Sequence, residues 1–110
     1  MPMRNDLATV TERINVLLAR IERGDYPDRA RLEDTLTDGY ACALSLDAEC
    51  HRLERRIAGH AAELTSDSGE ELAKDLSDLA EMLSRRRREL ASLRGLLVVL
   101  RAGVQEARVA

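Results

Sequence analysis

The 110-residue sequence contains no tryptophan and no phenylalanine, and it has only two tyrosines. A packed core must therefore be built from Leu, Val, Ile and Ala. Proline is equally rare: Pro2 and Pro27 are its two occurrences, so long helices can run without interruption. With 34% charged residues, the composition is typical of long helices and coiled coils rather than of a sheet protein. The length predicts a single domain over 1–110.

An excess of positive charge is also lacking, since the formal net charge is −3. Direct DNA binding is therefore not expected, because a DNA-binding domain usually presents a basic field to the phosphates. The segment 63–81 strengthens this expectation, since it carries seven acids against one lysine, Lys74, and would repel phosphates.

The sequence has no apolar run of the length that a membrane requires. The longest run, "LLVVL" at 96–100, is far shorter than the roughly 20 residues of a spanning helix. The start, "MPMRNDLATV", lacks the apolar core of a signal peptide. Cys42 and Cys50 would lie roughly 12 Å apart on one straight helix, too far for a disulfide. These features predict a cytoplasmic protein without membrane association and with two reduced thiols.

The spacing patterns of catalytic and metal sites are missing as well. Cys42, Cys50, His51 and His60 form no CxxC or HExxH pattern. The two histidines are nine residues apart, which does not place them on one stripe of a helix, and no Gly-rich phosphate loop occurs. The sequence therefore predicts a protein that is not an enzyme and that binds no metal and no cofactor.

Apolar spacing, in contrast, is regular and predicts three helices. The first covers about 5–23, begins at a cap formed by Asn5 or Asp6, and stops at Gly24. Its apolar residues recur at steps of three and four, which places them on one helix face. The residues that share this face are Leu7, Val10, Ile14, Leu17 and Ile21.

The second helix covers about 27–64, with Pro27 at the favoured first helical position. The third covers about 69–108 and begins at a capping box of Ser68 and Glu71. In both helices a seam of mostly apolar residues alternates steps of three and four, as in a coiled coil. The seam of the second helix is Leu32, Leu36, Gly39, Ala43, Leu46, Cys50, Leu53, Ile57, His60 and Leu64. The seam of the third is Leu72, Leu76, Leu79, Leu83, Arg86, Leu90, Leu93, Leu97, Leu100 and Val104.

These two long helices should pair, because a short turn between long helices makes them antiparallel neighbours. Placing Leu64 against Leu72 fixes the register. The pairs that follow are Ile57 with Leu79, Leu53 with Leu83, Cys50 with Arg86, Leu46 with Leu90, and Gly39 with Leu97. The predicted fold is all-α: a long antiparallel helical hairpin, a coiled coil, with the shorter N-terminal helix packed on its terminal end.

Extra apolar width predicts where the first helix docks. Around 96–100 the third helix is apolar on more than one face, as expected of a helix with two neighbours, and Tyr40 and Leu44 widen the second helix. We expect Ile14 and Leu17 to contact the neighbourhood of the third helix that includes Leu97 and Leu100.

Four consecutive arginines interrupt the third helix in the segment "SRRRREL". In the predicted register they lie level with three arginines of the second helix. We call these seven residues the arginine belt: Arg52, Arg55, Arg56, Arg85, Arg86, Arg87 and Arg88. The acids among them are Glu49, Glu54, Glu81 and Glu89, and the spacing predicts the i,i+4 pairs Glu81–Arg85 and Arg85–Glu89.

The arginine belt has two interpretations. It is a solvated helix surface with salt bridges, or it binds an acidic protein surface or a phosphate-bearing ligand. Arg86 favours binding, because a charge on a seam costs stability unless it is paired, here by Glu49, Glu54 or Glu89. The candidate partner- or anion-binding residues are Arg52, Arg55, Arg56, Ser84, Arg86 and Arg87.

"SRRRREL" resembles the S-x-R-R-R-x-L segment of the RsiG-like anti-sigma family of actinobacteria, whose members respond to cyclic di-GMP. Ser84 and Arg87 match the family's nucleotide motif, E-x3-S-x2-R-x3-Q-x3-D, whereas Ala80, Ala91 and Gly95 replace its Glu, Gln and Asp. Family members are antiparallel helical hairpins that hold a flagellar-type sigma factor. The resemblance implies a transcription regulator with a sigma factor as partner, and the incomplete motif does not predict cyclic dinucleotide binding.

Taken with the helical pattern, these observations favour a small helical protein–protein interaction module, a regulator of the anti-sigma type. A different class of function is a structural, self-associating coiled coil that forms a homodimer. A third is a sensor of a phosphate-bearing small ligand at the arginine belt.

Overall fold

A computed structural model of the chain describes residues 6–64 and 69–109. Three helices make up this part: α1 (Leu7–Glu22), α2 (Arg29–Glu63) and α3 (Gly69–Val109), with no β-strand among the described residues. The long α2 and α3 pack against each other, and α1 contacts both. The predicted all-α hairpin with a shorter N-terminal helix is confirmed.

The ends of α1 have the expected local chemistry. Asp6 is the N-cap, and its carboxylate accepts a hydrogen bond of 3.4 Å from the backbone N–H of Thr9. The other predicted cap, Asn5, lies outside the described residues. After the helix, Gly24 takes a left-handed φ of +77°, which suits glycine. The Arg20 guanidinium donates to Asp25 at 3.1 Å and holds the chain beyond this turn.

The beginning of α2 differs from the prediction at Pro27. The helix begins at Arg29, and Asp28 accepts a hydrogen bond of 2.9 Å from the backbone N–H of Arg31. Asp28 therefore acts as the cap, and Pro27 precedes the cap instead of opening the helix. Pro27 is buried, so its ring contributes apolar contact where the chain enters the helix. The carboxylate of Asp28 accepts a hydrogen bond from an N–H in the first turn of α2. A proline at the first helical position would only remove one such N–H.

The beginning of α3 lies close to its predicted place. Gly69 is the first helical residue, and Glu70 and Glu71 occupy the first turn, where the helix dipole favours acids. Ser68, the other half of the predicted capping box, lies outside the described residues.

The chain divides into two compact units. The first comprises the chain up to Leu44 together with the part from Ala91 onward, so it contains α1, the beginning of α2 and the end of α3. Its core is aliphatic apart from the Cys42 thiol and the buried hydroxyl of Thr35, which donates to the backbone oxygen of Arg31. The core residues are Val10, Ile14, Leu17, Leu32, Cys42, Ala43, Leu93, Leu97, Leu100 and Val104. Four residues expected to meet where α1 docks are buried in this unit: Ile14, Leu17, Leu97 and Leu100.

Specific contacts fix the register of the first unit. A Cβ atom on Gly39 would overlap the side chain of Leu97, so the glycine allows α2 and α3 to approach closely. α1 packs nearby: an added Cβ on Gly103 of α3 would lie 3.0 Å from Ile21. The predicted pairing of Gly39 with Leu97 is therefore confirmed.

The second unit, Ser45–Leu90, contains the end of α2 and the beginning of α3. Four buried residues form its central cluster, Cys50, Leu53, Leu79 and Leu83, and the half-buried Ile57 packs against them. All five are seam residues, and the predicted partners Leu53 and Leu83 share the cluster. Among the described residues, no helix holds a stretch apolar enough to cross a membrane.

α1 docks on a different side of α2 and α3 from the one that the sequence predicts. Tyr40, Leu44 and Val98 were expected to lie near a neighbouring helix, yet their side chains remain 41%, 71% and 70% exposed. Arg13 of α1 instead contacts Thr35 and Asp38 of α2. These contacts lie on another stripe of α2. Because one short helix covers one side of a helix pair, the apolar width on the other side stays open.

Candidate functional site

Arg86 is the centre of the predicted arginine belt. Its Nε donates to Glu49 Oε1 of α2 at 3.0 Å, and its Nη1 donates to Glu89 Oε2 at 2.9 Å. The side chain is half-buried, with 35% exposed. The hydrogen bond to Glu89 is the main reason that the pKa of Arg86 is raised above its ordinary value. Desolvation acts in the opposite direction and lowers that pKa. Two of the three acids considered for this arginine therefore hold it.

The next two arginines of the SRRRREL segment, Arg87 and Arg88, each make one hydrogen bond with a described side chain. Arg87 Nη2 donates to Glu54 Oε1 at 2.7 Å, across the two helices. Arg88 Nη1 lies 3.5 Å from the hydroxyl of Ser84, a weak hydrogen bond. The predicted i,i+4 pairs of Arg85 with Glu81 and Glu89 are not formed among the described residues, and Glu89 pairs with Arg86 at i,i+3.

The six candidate residues all lie in the second unit. Arg86 and Arg87 each contact a carboxylate of α2, and Arg52, Arg55 and Arg56 have exposed side chains. The acids thus neutralise Arg86, which the sequence places on the seam, and its neighbour Arg87. This geometry supplies a structural role for Arg86, and anion binding at the belt stays a prediction.

The thiols and imidazoles make local contacts. Burial raises the pKa of the Cys50 thiol, which disfavours its reactive thiolate form. Nδ1 of His51 lies 2.8 Å from the backbone oxygen of Asp47, and Nδ1 of His60 lies 2.9 Å from that of Arg56. In the described portion of the chain, no three His, Cys, Asp or Glu side chains are grouped as metal ligands would be.

A groove that the sequence reasoning did not identify lies in the first unit, between α2 and α3. Its volume is about 770 Å³. The residues that line this α2/α3 groove are Tyr40, Ala43, Leu44, Arg94, Leu97, Val98, Arg101, Ala102 and Gln105. Its most exposed apolar side chains, Leu44 and Val98, come from different helices.

Helical spacing explains the walls of the groove. Arg94, Val98, Arg101 and Gln105 follow at steps of four, three and four, so they share one stripe of α3. Tyr40 and Leu44 share a stripe of α2 in the same way. Both stripes lie beside the seam. Their apolar residues are the feature of the sequence that could have indicated the groove. The sequence could not show which side of the seam α1 would leave uncovered.

A second cleft of about 630 Å³ lies between α1 and α2. Its lining includes Glu12, Arg31 and Asp34, so both signs of charge are present. Arg13 also lines it and donates to Asp38 at 2.7 Å. Its lining includes the exposed Val16, but the cleft offers less exposed apolar surface to a partner than the α2/α3 groove does.

No protein-family model, curated protein or solved structure matches this chain. The chain presents two candidate surfaces for function, the arginine belt and the α2/α3 groove. Of the two, the groove has the larger exposed apolar surface, whereas the contacts found in the belt are ion pairs and a weak hydrogen bond within the protein.

Proposed function

We propose that this chain is a protein-interaction module, not an enzyme, and that its α2/α3 groove receives a protein partner. The observation that carries the proposal is the concentration of exposed apolar side chains in one groove: Leu44, Val98 and Tyr40. Single exposed apolar residues are common on proteins, but a contiguous apolar patch with a polar border is typical of an interaction site. The two reduced thiols suit a cytoplasmic protein.

The finer proposal is that the module regulates transcription as an anti-sigma protein, with a flagellar-type sigma factor as its partner. Two features support it: the resemblance of "SRRRREL" to the anti-sigma segment, and the antiparallel helical hairpin that this family shares. Ser84 and Arg87 are the residues that match the family's motif.

Site-specific photocrosslinking tests the groove as the partner site. Leu44 is replaced by a photoreactive phenylalanine analogue, and the same substitution at Val99 is the matched control. Val99 is also an exposed apolar residue, at 55%, but it is not part of the groove lining. We expect Leu44 to crosslink to another protein in cells that express the chain, and Val99 not to do so. Crosslinks only between copies of this chain would instead support the self-associating coiled coil.

An in vitro transcription assay tests the finer proposal. Purified chain is added to RNA polymerase that carries a flagellar-type sigma factor, and transcript is measured against chain concentration. We expect transcription to fall as the chain is added, and Val98→Asp to relieve the inhibition where Val99→Asp does not. Unchanged transcription with the chain in large excess would contradict the anti-sigma role and leave the broader interaction proposal to the crosslinking result.

A further inference from the structure

We propose that the α2/α3 groove receives one amphipathic helix from a different protein, and that this helix carries carboxylates beside its apolar stripe. The inference rests on the proposed interaction function and adds the chemistry of the partner. It follows from the length of the groove, from the charge of its walls and from the consequence of placing a second copy there.

The dimensions of the groove suit a helix. Its α3 wall runs from Arg94 to Gln105, a span of about 16 Å, or about three helical turns. Ala43 contributes a small side chain to the lining, between the two walls, so a docked helix can approach closely. An amphipathic helix with apolar residues at steps of three and four can fill such a groove, with Leu44 on one side and Val98 on the other.

α1 provides an internal precedent for this mode of docking. It already packs on the other side of α2 and α3 in the first unit, through Arg13 and Ile21. A helix in the groove would cover the remaining apolar stripe and complete a four-helix arrangement, the usual way to bury two apolar sides of a helix pair.

The polar residues of the lining select the charge of the partner. Among the described residues that line the groove there is no carboxylate, and the charged ones are Arg94 and Arg101. Arg101 makes no ion pair with any described residue. The Tyr40 hydroxyl and the Gln105 amide add further hydrogen-bond donors. Carboxylates that flank the apolar stripe of an incoming helix would pair with Arg101 and gain electrostatic complementarity.

A second copy of this chain fits the groove poorly. In a symmetric dimer with grooves face to face, an antiparallel arrangement centred near Val98 places Arg101 close to Arg94 of the other copy. A parallel arrangement places Arg101 close to its own counterpart. Both arrangements bring like charges together, which disfavours the association.

Designed peptides test the inference directly. Two fluorescent peptides of about 18 residues carry the same leucine stripe; one has glutamates beside the stripe and the other has lysines. Binding to the full chain is measured by fluorescence anisotropy. The chain has a net charge of −3, so non-specific attraction would favour the lysine peptide. We expect the glutamate peptide to bind at least about ten-fold more tightly than the lysine peptide.

Matched variants locate the binding. Val98→Asp should weaken the glutamate peptide about ten-fold or more, whereas Val99→Asp should change it less than about two-fold. Leu44→Asp, from the opposite wall, repeats the test if Val98→Asp does not fold. Arg101→Glu should reduce or reverse the preference for glutamate over lysine, and Lys74→Glu, at an exposed position of the second unit outside both candidate surfaces, is its charge control.

Three outcomes would overturn the inference: equal or tighter binding of the lysine peptide, equal effects of Val98→Asp and Val99→Asp, or a wild-type dimer that Val98→Asp alone dissociates. The last outcome would identify a second copy as the occupant. A Leu44 crosslink to a protein with a basic helix would leave the proposed function intact and contradict only this inference. Absence of any crosslink to another protein would contradict the proposed function itself.

Discussion

At the scale of single residues, Arg86 stands where the leucine seam of α3 would favour an apolar side chain. Its guanidinium is held between Glu49 of α2 and Glu89 of α3, so the desolvation that half-burial imposes is offset by two charge-assisted hydrogen bonds. The bond to Glu49 forms only when the helices have this register. We infer that Arg86 contributes to register as well as to stability, as polar seam residues do in coiled coils.

Replacement of Arg86 should reveal this role. We expect Arg86→Leu to lower the free energy of unfolding by about 1 kcal/mol, because Glu49 and Glu89 lose their shared cation and repel each other. The estimate is well below that for a fully buried pair, since the side chains are a quarter to a third exposed. Urea unfolding measures the change.

The control for Arg86 is Arg88→Leu, which removes a neighbouring arginine whose weak hydrogen bond to Ser84 is exposed. It should change the free energy of unfolding by about 0.5 kcal/mol or less. A more stable Arg86→Leu protein would mean that an apolar seam residue contributes more than the two ion pairs.

At the scale of helices, two glycines of α2 distinguish the effect of side-chain packing on stability from the effect of helix propensity. Gly39 is buried against Leu97, whereas a Cβ on Gly59 would meet no atom within 4 Å. Gly59→Ala should therefore raise stability by about 0.5 to 1 kcal/mol, through helix propensity alone. Gly39→Ala gains the same propensity but overlaps a Leu97 side chain that is only 2% exposed, so it should lower stability by about 1 to 2 kcal/mol.

Thermal melts of the two alanine variants measure these shifts. Shifts of opposite sign support close packing of α2 and α3 at Gly39. If both variants gain stability, Leu97 can move aside, and the close approach at Gly39 contributes little.

Neighbouring residues of α3 test the seam in the second unit. Leu83 is 7% exposed and belongs to the central cluster, whereas Met82 is 42% exposed. Leu83→Ala should lower the free energy of unfolding by about 2 to 5 kcal/mol, because it removes apolar contact and leaves a cavity. Met82→Ala should cost about 0.5 kcal/mol or less. Similar losses in chemical denaturation would show that the face carrying Leu83 is not the buried one.

At the scale of the whole molecule, α1 supplies part of a mostly aliphatic core, and the two tyrosines of the chain lie outside it with exposed side chains. Val10 and Ile14 are 0% exposed. Removal of residues 1–24 should therefore expose apolar surface on α2 and α3, lower the melting temperature and promote association. Sedimentation velocity over a range of concentrations measures the association.

Point variants in α1 provide the control for this deletion. Val10→Asp places a charge in the core and should reproduce the loss of stability, whereas Val16→Asp changes a residue that is 55% exposed and should have little effect. A truncated chain that stays monomeric and equally stable would contradict a core role for α1.

Much of the fold could be predicted from spacing, because a seam with steps of three and four has one geometric solution when two long helices are joined by a short turn. The pairing of Gly39 with Leu97 and the shared cluster of Leu53 and Leu83 followed from that rule. The start of α2 could not be predicted from that rule. The sequence permits either Pro27 as the first helical residue or Asp28 as the cap, and the structure has Asp28 as the cap.

The candidate site was less accessible to sequence reasoning. Residue spacing alone gives the apolar residues, the helix stripe that each occupies, and three candidate acids for Arg86, of which Glu49 and Glu89 hold it. That α1 covers one side of α2 and α3, and leaves Tyr40, Leu44 and Val98 exposed, depends on how the three helices pack. Helical periodicity places apolar stripes on both sides of the seam, and a single short helix can bury only one of them.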